Sequence, residues 1–360
     1  MTAPRLEIDL IKIHQNARVL VSLLKRRGIS VSAVTKAMLG LPSVARELLA
    51  AGVSGLADSR IENILTLRQS NIKAPMSLIR SPMISQADLV VKNTDISFNT
   101  ELDVIAELSK SAQAMGRSHS VLLMVELGDL REGIMPADLE KVVRRTLSFP
   151  NIAFKGIGAN LACRCGVVPD EANMAELSAV ANAIDANLGP VISIVSGGNS
   201  SNLQWILEGS DVGRINHLRL GEAIFLGCEP LHRRPIEGLH TDAITLVAEV
   251  IEAKIKPSQP WGDVAETAFG KAVPMQDHGN ISQAIYALGH MDCDPEGLTP
   301  PPDIKILGSS SDHLIIDSGR NLLPIGTETR FQLNYSALVR AMASPFVAKQ
   351  LLAKEIALVS

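Results

Sequence analysis

The first 235 residues alternate short apolar runs with amphipathic stretches, and this alternation limits the possible folds more than any other feature. Repeated units of a strand followed by a helix are typical of α/β proteins with a parallel sheet. Eight apolar runs are predicted to be strands, at residues 29–35, 53–57, 75–79, 95–98, 120–126, 153–160, 191–195 and 211–217. Eight such units match a (β/α)8 barrel. We therefore predict a TIM-type barrel over residues 1–235.

The pattern changes after residue 235. Alternating apolar runs at 244–255 and 304–316 are separated by loops rich in proline, glycine and aspartate, which indicates strands joined by turns. Residues 335–354 have a largely helical pattern, with Pro345 as a break. We predict a smaller β-rich C-terminal domain over residues 236–360 that contains a terminal helix.

Composition excludes several classes of function. A net charge of −4 provides no broad basic field, so nucleic acid is not an expected partner. The chain shows neither a signal peptide at its start nor an apolar run long enough to span a bilayer, and we expect a cytoplasmic protein without a membrane partner. The cysteines are too few for a disulfide framework and lack metal-ligand spacing, so we expect reduced thiols and no metal site; they are Cys163, Cys165, Cys228 and Cys293.

Lys36 closes the first predicted strand, in the segment VTKAMLG. Active sites of barrels lie at the carboxyl ends of their strands. A lysine that is partly desolvated there has a lowered pKa, and its amine can attack an aldehyde. The alternative is a lysine that simply leaves the barrel into solvent.

Two turns near the end of the barrel sequence have the composition of a phosphate site. The first, VSGGNSSN, follows the seventh predicted strand and includes Ser196, Gly198, Asn199 and Ser200. The second follows the eighth strand, where Gly221 and Glu222 open a helix. Backbone N–H groups at such helix starts bind phosphate, and barrels often place this site after strands seven and eight. A glycine-rich loop with a serine cap is the alternative interpretation.

Two arginines are placed to reach the same end of the barrel. Arg131 follows the fifth predicted strand and Arg219 the eighth. Either could be a surface residue. An arginine inside a pocket keeps its charge and is a good partner for a carboxylate or a ring nitrogen.

The order of these motifs resembles that of the alanine racemase family of pyridoxal 5′-phosphate enzymes. The motifs are VTKAMLG, Gly128-x-x-Arg131-x-Gly133, GIGAN ending at Asn160, SGGNSS and Arg219-x-Gly221. The segments PRLEIDL, NHLRLGEAI, ALGHMDCDPEGLTP and ILGSSSDH are similar to the ornithine and lysine racemase branch. The resemblance implies a racemase for a diamino acid, and a homodimer with active sites at its interface.

The resemblance also implies roles for individual residues. Lys36 corresponds to the lysine that binds the cofactor covalently and serves as one acid/base. Arg131 corresponds to the arginine that holds the cofactor's phenolic oxygen near the substrate carboxylate, and Arg219 to the arginine bonded to the pyridine nitrogen. The phosphate falls on the two turns, held by Ser196, Gly198, Asn199, Ser200, Gly221 and Glu222, mostly through backbone N–H groups.

Two positions depart from the family pattern. Asn160 stands where the alanine enzymes have a histidine near the ring. Phe269, in AETAFGKAV, stands where the family has the tyrosine that acts as the second base. Because phenylalanine cannot transfer a proton, another group must serve the face opposite Lys36.

The second domain offers candidates for this missing group and for substrate binding. Asp312 and His313 are our first choice for the proton transfer, with Asp312 orienting the imidazole, and His290 and Tyr286 follow. Asp129, Asp292 and Asp294 are candidates for binding a distal ammonium. Arg131, His290, Asp292 and Ser311 are the residues predicted to bind substrate.

Two other functions remain open at this stage. The loss of the tyrosine would suit a different reaction on the same cofactor, such as decarboxylation or aldol cleavage. A non-enzymatic pyridoxal-phosphate homeostasis protein is the other alternative, although that family resembles a single shorter barrel.

Overall fold

A computed structural model describes residues 2–270, 276–320 and 322–353. The described residues form two compact units, one of residues 12–241 and one that combines residues 2–11 with those from Asp242 onward. Strand β1 (Arg5–Asp9) opens the chain and belongs to the second unit, and helix α1 (Leu10–Lys25) follows directly. Residues 2–11 therefore belong to the second unit, whereas the sequence pattern predicted the barrel over residues 1–235.

The first unit is a closed barrel of eight parallel strands in sequence order. Its strands are β2 (Ser30–Val34), β3 (Gly55–Asp58), β4 (Met76–Leu78), β5 (Ile96–Asn99), β6 (His119–Met124), β7 (Ile152–Gly158), β8 (Ile194–Ser196) and β9 (His217–Leu220). The predicted barrel is confirmed. The seventh and eighth predicted strands begin too early, because 191–193 and 211–216 belong to loops.

Helices follow the strands, and the longer ones bury one apolar stripe, as amphipathic helices around a barrel do. They are α2 (Pro42–Ala50), α3 (Ile61–Gln69), α4 (Ala87–Asn93), α5 (Leu102–Ala114), α6 (Pro136–Leu147), α7 (Glu171–Leu188), α8 (Asn202–Leu207) and α9 (Glu222–Leu226). Phe98, Leu122 and Met124 form a buried apolar cluster on β5 and β6. None of the helices in the described residues is long and apolar enough to cross a membrane.

The second unit is a mostly antiparallel sheet of eight strands, which confirms the predicted β-rich second domain. Besides β1 it contains β10 (Ile244–Pro257), β11 (Asn280–Ala287), β12 (Leu298–Thr299), β13 (Lys305–Ser309), β14 (His313–Asp317), β15 (Glu328–Leu333), α10 (Tyr335–Ala343) and β16 (Ala348–Leu352). The run predicted over 304–316 is two strands, β13 and β14, joined by a turn.

The end of the chain differs from the helix predicted over residues 335–354. The helix stops at Ala343, two residues before Pro345, and the chain then forms β16, which pairs in parallel with β1. Residue 354 lies outside the described residues. Proline cannot donate a backbone hydrogen bond and ends helices, which explains the early stop.

An ion-pair cluster holds β1 to the sheet. Arg5 and Glu7 on β1 are both buried and pair with each other at 2.8 Å. Glu7 also accepts from Arg330 of β15 at 2.8 Å, and Arg5 pairs with Glu328. Leu6 and Ile8, which point to the other face, are fully buried.

Candidate active site

The predicted barrel residues lie in or after β6 to β9 and β2. These five strands are neighbours, because β9 pairs with β2. They are also parallel, so the residues that follow them lie at one end of the barrel. Lys36 starts a short 3-10 turn directly after β2 and is half-buried. The preceding Thr35 donates from its hydroxyl to the buried Asp58 at 2.7 Å. Burial raises the pKa of Asp58, although its bonds from Thr35 and Asn63 oppose this. This buried network fixes the backbone from which Lys36 projects.

The two predicted phosphate turns are bonded to each other. The Ser200 hydroxyl accepts from the backbone N–H of Ala223, in the first turn of α9, at 3.2 Å. Gly198 has a φ of +152°, and a Cβ there would lie 2.0 Å from the Asn202 side-chain oxygen, so the turn requires glycine. The hydroxyl of Ser201 is buried and has no hydrogen-bond partner within the described residues. The turn therefore contains an unused polar atom of the type that a phosphate oxygen bonds.

Arg219 lies in β9 and is 4 % exposed. Its guanidinium donates to the carbonyl of Ala159 at 2.7 Å and to the hydroxyl of Ser196. It also lies 5.2 Å from the centre of the Phe98 ring. Burial, together with the charge of Arg131, lowers the pKa of Arg219 to about 10, so the group is still a cation at pH 7. Ser196 is fully buried and contacts Arg219 rather than an open turn.

Arg131 lies in the loop after β6, and its guanidinium pairs with the neighbouring Glu132. It also donates to the sulfur of Cys163 at 2.6 Å. The Asn160 side chain lies between the two arginines: its amide oxygen accepts from Arg219 at 3.3 Å, and the rotated amide would accept from Arg131 at 3.2 Å. Glu132 and Cys163 were not predicted as site residues, although Glu132 stands within the Gly-x-x-Arg-x-Gly motif.

Asp129 is not available to bind a distal ammonium. Its carboxylate accepts four backbone N–H groups from the loop 163–167, at 2.9 to 3.4 Å, and the residue is 1 % exposed. Burial raises the pKa of Asp129, but the four amides together lower it below its usual value. Asp129 therefore fixes the loop that carries Cys163.

Glu222 begins α9, and its carboxylate pairs with Arg233. Burial raises the pKa of Glu222, while the charges of Arg233 and Lys36 oppose the rise. The side chain of Glu222 is thus directed to cations, which leaves its backbone N–H as the group predicted for phosphate.

In the second unit, the aromatic residue at the position of the family tyrosine contacts a histidine. The Phe269 ring stacks on the His290 ring with centroids 4.1 Å apart. One ring nitrogen of His290 is fixed as well, because Nε2 lies 3.0 Å from the Ser309 hydroxyl. The structure thus places an imidazole beside the residue that replaced the tyrosine.

The other predicted residues of this unit have different surroundings. Asp312 and His313 are exposed, and their side chains bond to Ser311 and Ser310 rather than to each other, so the orientation of His313 by Asp312 stays a prediction. Asp292 accepts from the backbone N–H of Gly289 at 2.9 Å; burial, with the charge of Asp312, raises its pKa.

Two further candidates from the sequence have structural partners. Tyr286 is fully buried, and its hydroxyl lies 2.6 Å from that of Thr329. Asp294 accepts from the Ser336 hydroxyl at 2.5 Å. The Tyr286 hydroxyl and the Asp294 carboxylate thus both bond to side chains of the same unit.

A sequence profile described as alanine racemase, N-terminal domain, matches residues 8–229. The chain belongs to this family. It is 37% identical to ornithine racemase of Acetoanaerobium sticklandii over 97% of this chain and 99% of that one. It is 38% identical to lysine racemase of Thermotoga maritima over 97% of this chain and 98% of that one. These matches confirm the predicted family and an amino-acid racemase.

The fold comparison agrees with this membership. The crystal structure of alanine racemase from the D-cycloserine producer Streptomyces lavendulae superimposes with a TM-score of 0.76 and 19% identity, over 99% of both chains. At that identity the likeness concerns the fold. The barrel followed by a β-rich domain is therefore the architecture of this family.

Proposed function

We propose that this protein is a pyridoxal 5′-phosphate-dependent racemase that acts on a diamino acid, ornithine or lysine. The observation that carries the proposal is the similarity, over nearly the whole length of each chain, to two racemases named for these substrates.

The barrel residues fit the cofactor. Arg219 presents a buried cation next to Asn160, which suits a ring nitrogen. The joined turns, where a phosphate is expected, include the Ser201 hydroxyl, which has no partner in the described part of the chain. Ser200, Gly221 and Glu222 would hold the phosphate, Arg131 the phenolic oxygen, and Lys36 the aldehyde carbon. When bound, this cofactor withdraws electrons from the substrate and so acidifies its α-proton.

Racemisation requires a proton acceptor on one face of the α-carbon and a donor on the other. We assign Lys36 to one face. For the other face the geometry favours His290, because it stacks on Phe269, the residue at the tyrosine position, whereas the exposed His313 makes no such contact. Imidazole both accepts and donates protons near neutral pH. Asp312 and His313 remain the alternative.

A distal ammonium is best matched by Asp292. Burial of its carboxylate raises the pKa of Asp292, and the negative charge of Asp312 adds a smaller repulsion in the same direction. A substrate cation would relieve that repulsion, since an opposite charge stabilises the ionised carboxylates. Ser311, bonded to Asp312, is adjacent to this pair.

The resemblance implies a homodimer, in which the second unit of one chain completes the site of its partner. This part of the proposal predicts that two inactive variants, one altered in each unit, complement each other in mixed dimers.

The activity test uses purified protein, pyridoxal phosphate and single enantiomers of ornithine, lysine and alanine in heavy water. We expect racemisation of ornithine or lysine, with deuterium at the α-carbon, and much less turnover of alanine. Loss of carbon dioxide, or aldol cleavage of a hydroxylated substrate, would identify another reaction of this cofactor. Binding of the cofactor without turnover of any amino acid would identify a homeostasis protein.

A pair of matched variants tests the proton carrier. His290→Gln is expected to lower racemisation by about 10²-fold, as for other positioned acid/base groups, while α-deuteration of one enantiomer through Lys36 continues. His313→Gln is the control and should retain activity. The opposite pattern would assign the role to Asp312 and His313.

A further inference from the structure

A polar row inside the barrel connects Arg219 to a histidine. Ser32 on β2, Ser196 on β8, and His217 and Arg219 on β9 belong to three adjacent strands, and the register places Ser32 beside Arg219 and Ser196 beside His217. The His217 ring lies between two hydroxyls. Its Nδ1 is 2.7 Å from Ser196 Oγ, and its Nε2 is 2.9 Å from Ser32 Oγ.

The bond from Arg219 sets the direction of the hydrogen bonds in this row. A guanidinium can only donate, so the Ser196 oxygen accepts from Arg219. A hydroxyl that accepts from a cation is a better donor and a poorer acceptor, because the bonds polarise each other. Within the described residues, the Ser196 hydroxyl has one acceptor for its proton, His217 Nδ1. The imidazole proton is then on Nε2 and is donated to Ser32.

The surroundings keep this imidazole neutral. Burial, with the charge of Arg219, lowers the pKa of His217 to about 3. A second proton on the ring would be carried by Nδ1 and would point at the Ser196 hydroxyl. That oxygen already accepts from the Arg219 guanidinium, so it is a poor acceptor for a second donor. The ring therefore acts as a hydrogen-bond acceptor throughout the neutral pH range.

We infer that His217 is a positioning residue that, through the Ser196 hydroxyl, holds the Arg219 guanidinium in the orientation that meets the cofactor's ring nitrogen. The inference rests on the proposed function, because that function supplies the ring nitrogen. Without the imidazole, the Ser196 hydroxyl is free to rotate its proton toward Arg219, and the bond that fixes one arm of the guanidinium is lost.

The chain contains a matched control. His119, at the start of β6, is 1 % exposed, and its Nε2 lies 2.8 Å from the Ser97 hydroxyl. Burial lowers its pKa to about 4. It is a histidine with a serine partner in the same barrel, but among the described residues Ser97 does not bond to an arginine. His119→Leu therefore measures the cost of removing such a histidine without disturbing Arg219.

The experiment compares wild type, His217→Leu, His217→Asn and His119→Leu. Each protein is titrated with pyridoxal phosphate and with the analogue in which a C–H group replaces the ring nitrogen. We expect His217→Leu to weaken binding of pyridoxal phosphate about tenfold, the effect of one hydrogen bond, and to leave binding of the analogue unchanged. His217→Asn, whose side-chain oxygen can accept from Ser196, should recover most of the loss. His119→Leu should lower the melting temperature only.

A merely structural role would give different results. If His217→Leu weakens both ligands equally, or behaves like His119→Leu, the inference is wrong. Nitrogen-15 NMR of wild type gives a test that does not depend on a folded variant. If the His217 proton is on Nδ1 instead of Nε2, Ser196 cannot donate to the ring and the inference is wrong. If wild type neither binds pyridoxal phosphate nor racemises ornithine or lysine, the proposed function itself has failed.

Discussion

Replacing Asp129 by asparagine should weaken both the fold and the site, because one carboxylate holds the whole loop 163–167. Three of its four bonds from backbone amides are 3.1 Å or shorter, and the fourth is 3.4 Å. Charge-assisted hydrogen bonds contribute about 1.5–3 kcal/mol each. The substituted side chain would keep one acceptor oxygen, and water can reach the amides of this exposed loop, so we expect a loss of about 2 kcal/mol rather than the sum of the bonds.

The pH dependence of this loss follows from the lowered pKa of Asp129. A carboxylate whose pKa is lower in the folded state stabilises the protein above its unfolded pKa, about 3.9, and loses this contribution as the pH falls toward the folded value. Urea unfolding of wild type and Asp129→Asn should therefore differ fully at pH 7 and progressively less below about pH 4. A constant difference across this range would refute the argument.

The same substitution should affect activity through Cys163, which contacts Arg131. We expect kcat/KM to fall about tenfold, since a small displacement of a substrate-positioning arginine is costly. Asp185→Asn is the control: Asp185 also holds two backbone amides and an arginine, but none of them is a predicted site residue. It should lose stability and keep kcat/KM. Equal loss of activity in the two variants would show that Asp129 acts through general stability.

Three further predictions concern other parts of the chain. Borohydride reduction of the holoenzyme should label Lys36, and Lys36→Ala should neither be labelled nor racemise; a label on another lysine would contradict the assignment. Mixing Lys36→Ala with His290→Ala chains should restore part of the activity if the site is shared between subunits, whereas a fully active monomer would exclude sharing. Burial raises the pKa of Glu7, but its bonds from Arg330 and Arg5 lower it below the usual value. Glu7→Gln should therefore lower the melting temperature at pH 7 and much less near pH 3, where the wild-type carboxylate is partly protonated. Equal losses at both pH values would contradict the role of the ion pairs.

The barrel could be predicted from the sequence because each strand is a local apolar run with a helix after it. The last two strands were misplaced because the loop residues before them are held by side-chain bonds. Before β8, the backbone N–H groups of Val191 and Ile192 donate to Asp185. Asn216, in the loop before β9, accepts from the backbone N–H of Val195 at 2.9 Å, and Arg214 pairs with Asp185 at 2.8 Å. Strand β1 shows a period of two, typical of a half-buried strand, but periodicity does not identify its neighbours.

The site was predictable to the extent that its residues end strands. Lys36 lies directly after β2, Arg131 in the loop after β6 and Arg219 within β9, and the carboxyl ends of such parallel strands meet at one end of a barrel. The roles of these residues stay predictions. The use of Asp129 could not be predicted, because its partners come from a loop more than thirty residues later. His217 was missed, although the sequence contains a usable signal for it. It is a polar residue two positions before Arg219 in an apolar strand, and side chains two positions apart in a strand project to the same face.

The pairing of β1 has a consequence for synthesis of the chain. Its neighbours are Ile244–Val247 of β10 and Ala348–Leu352 of β16, so some 240 residues, including the entire barrel, are translated before the first of them exists. The barrel has all its strands by Leu220 and can complete its contacts on the ribosome, whereas β1, which precedes the barrel, must wait for β16 before it has both partners. A contact of such long sequence separation is expected to form late and slowly. Until then the apolar face of Leu6 and Ile8 is open to chaperones and to other nascent chains.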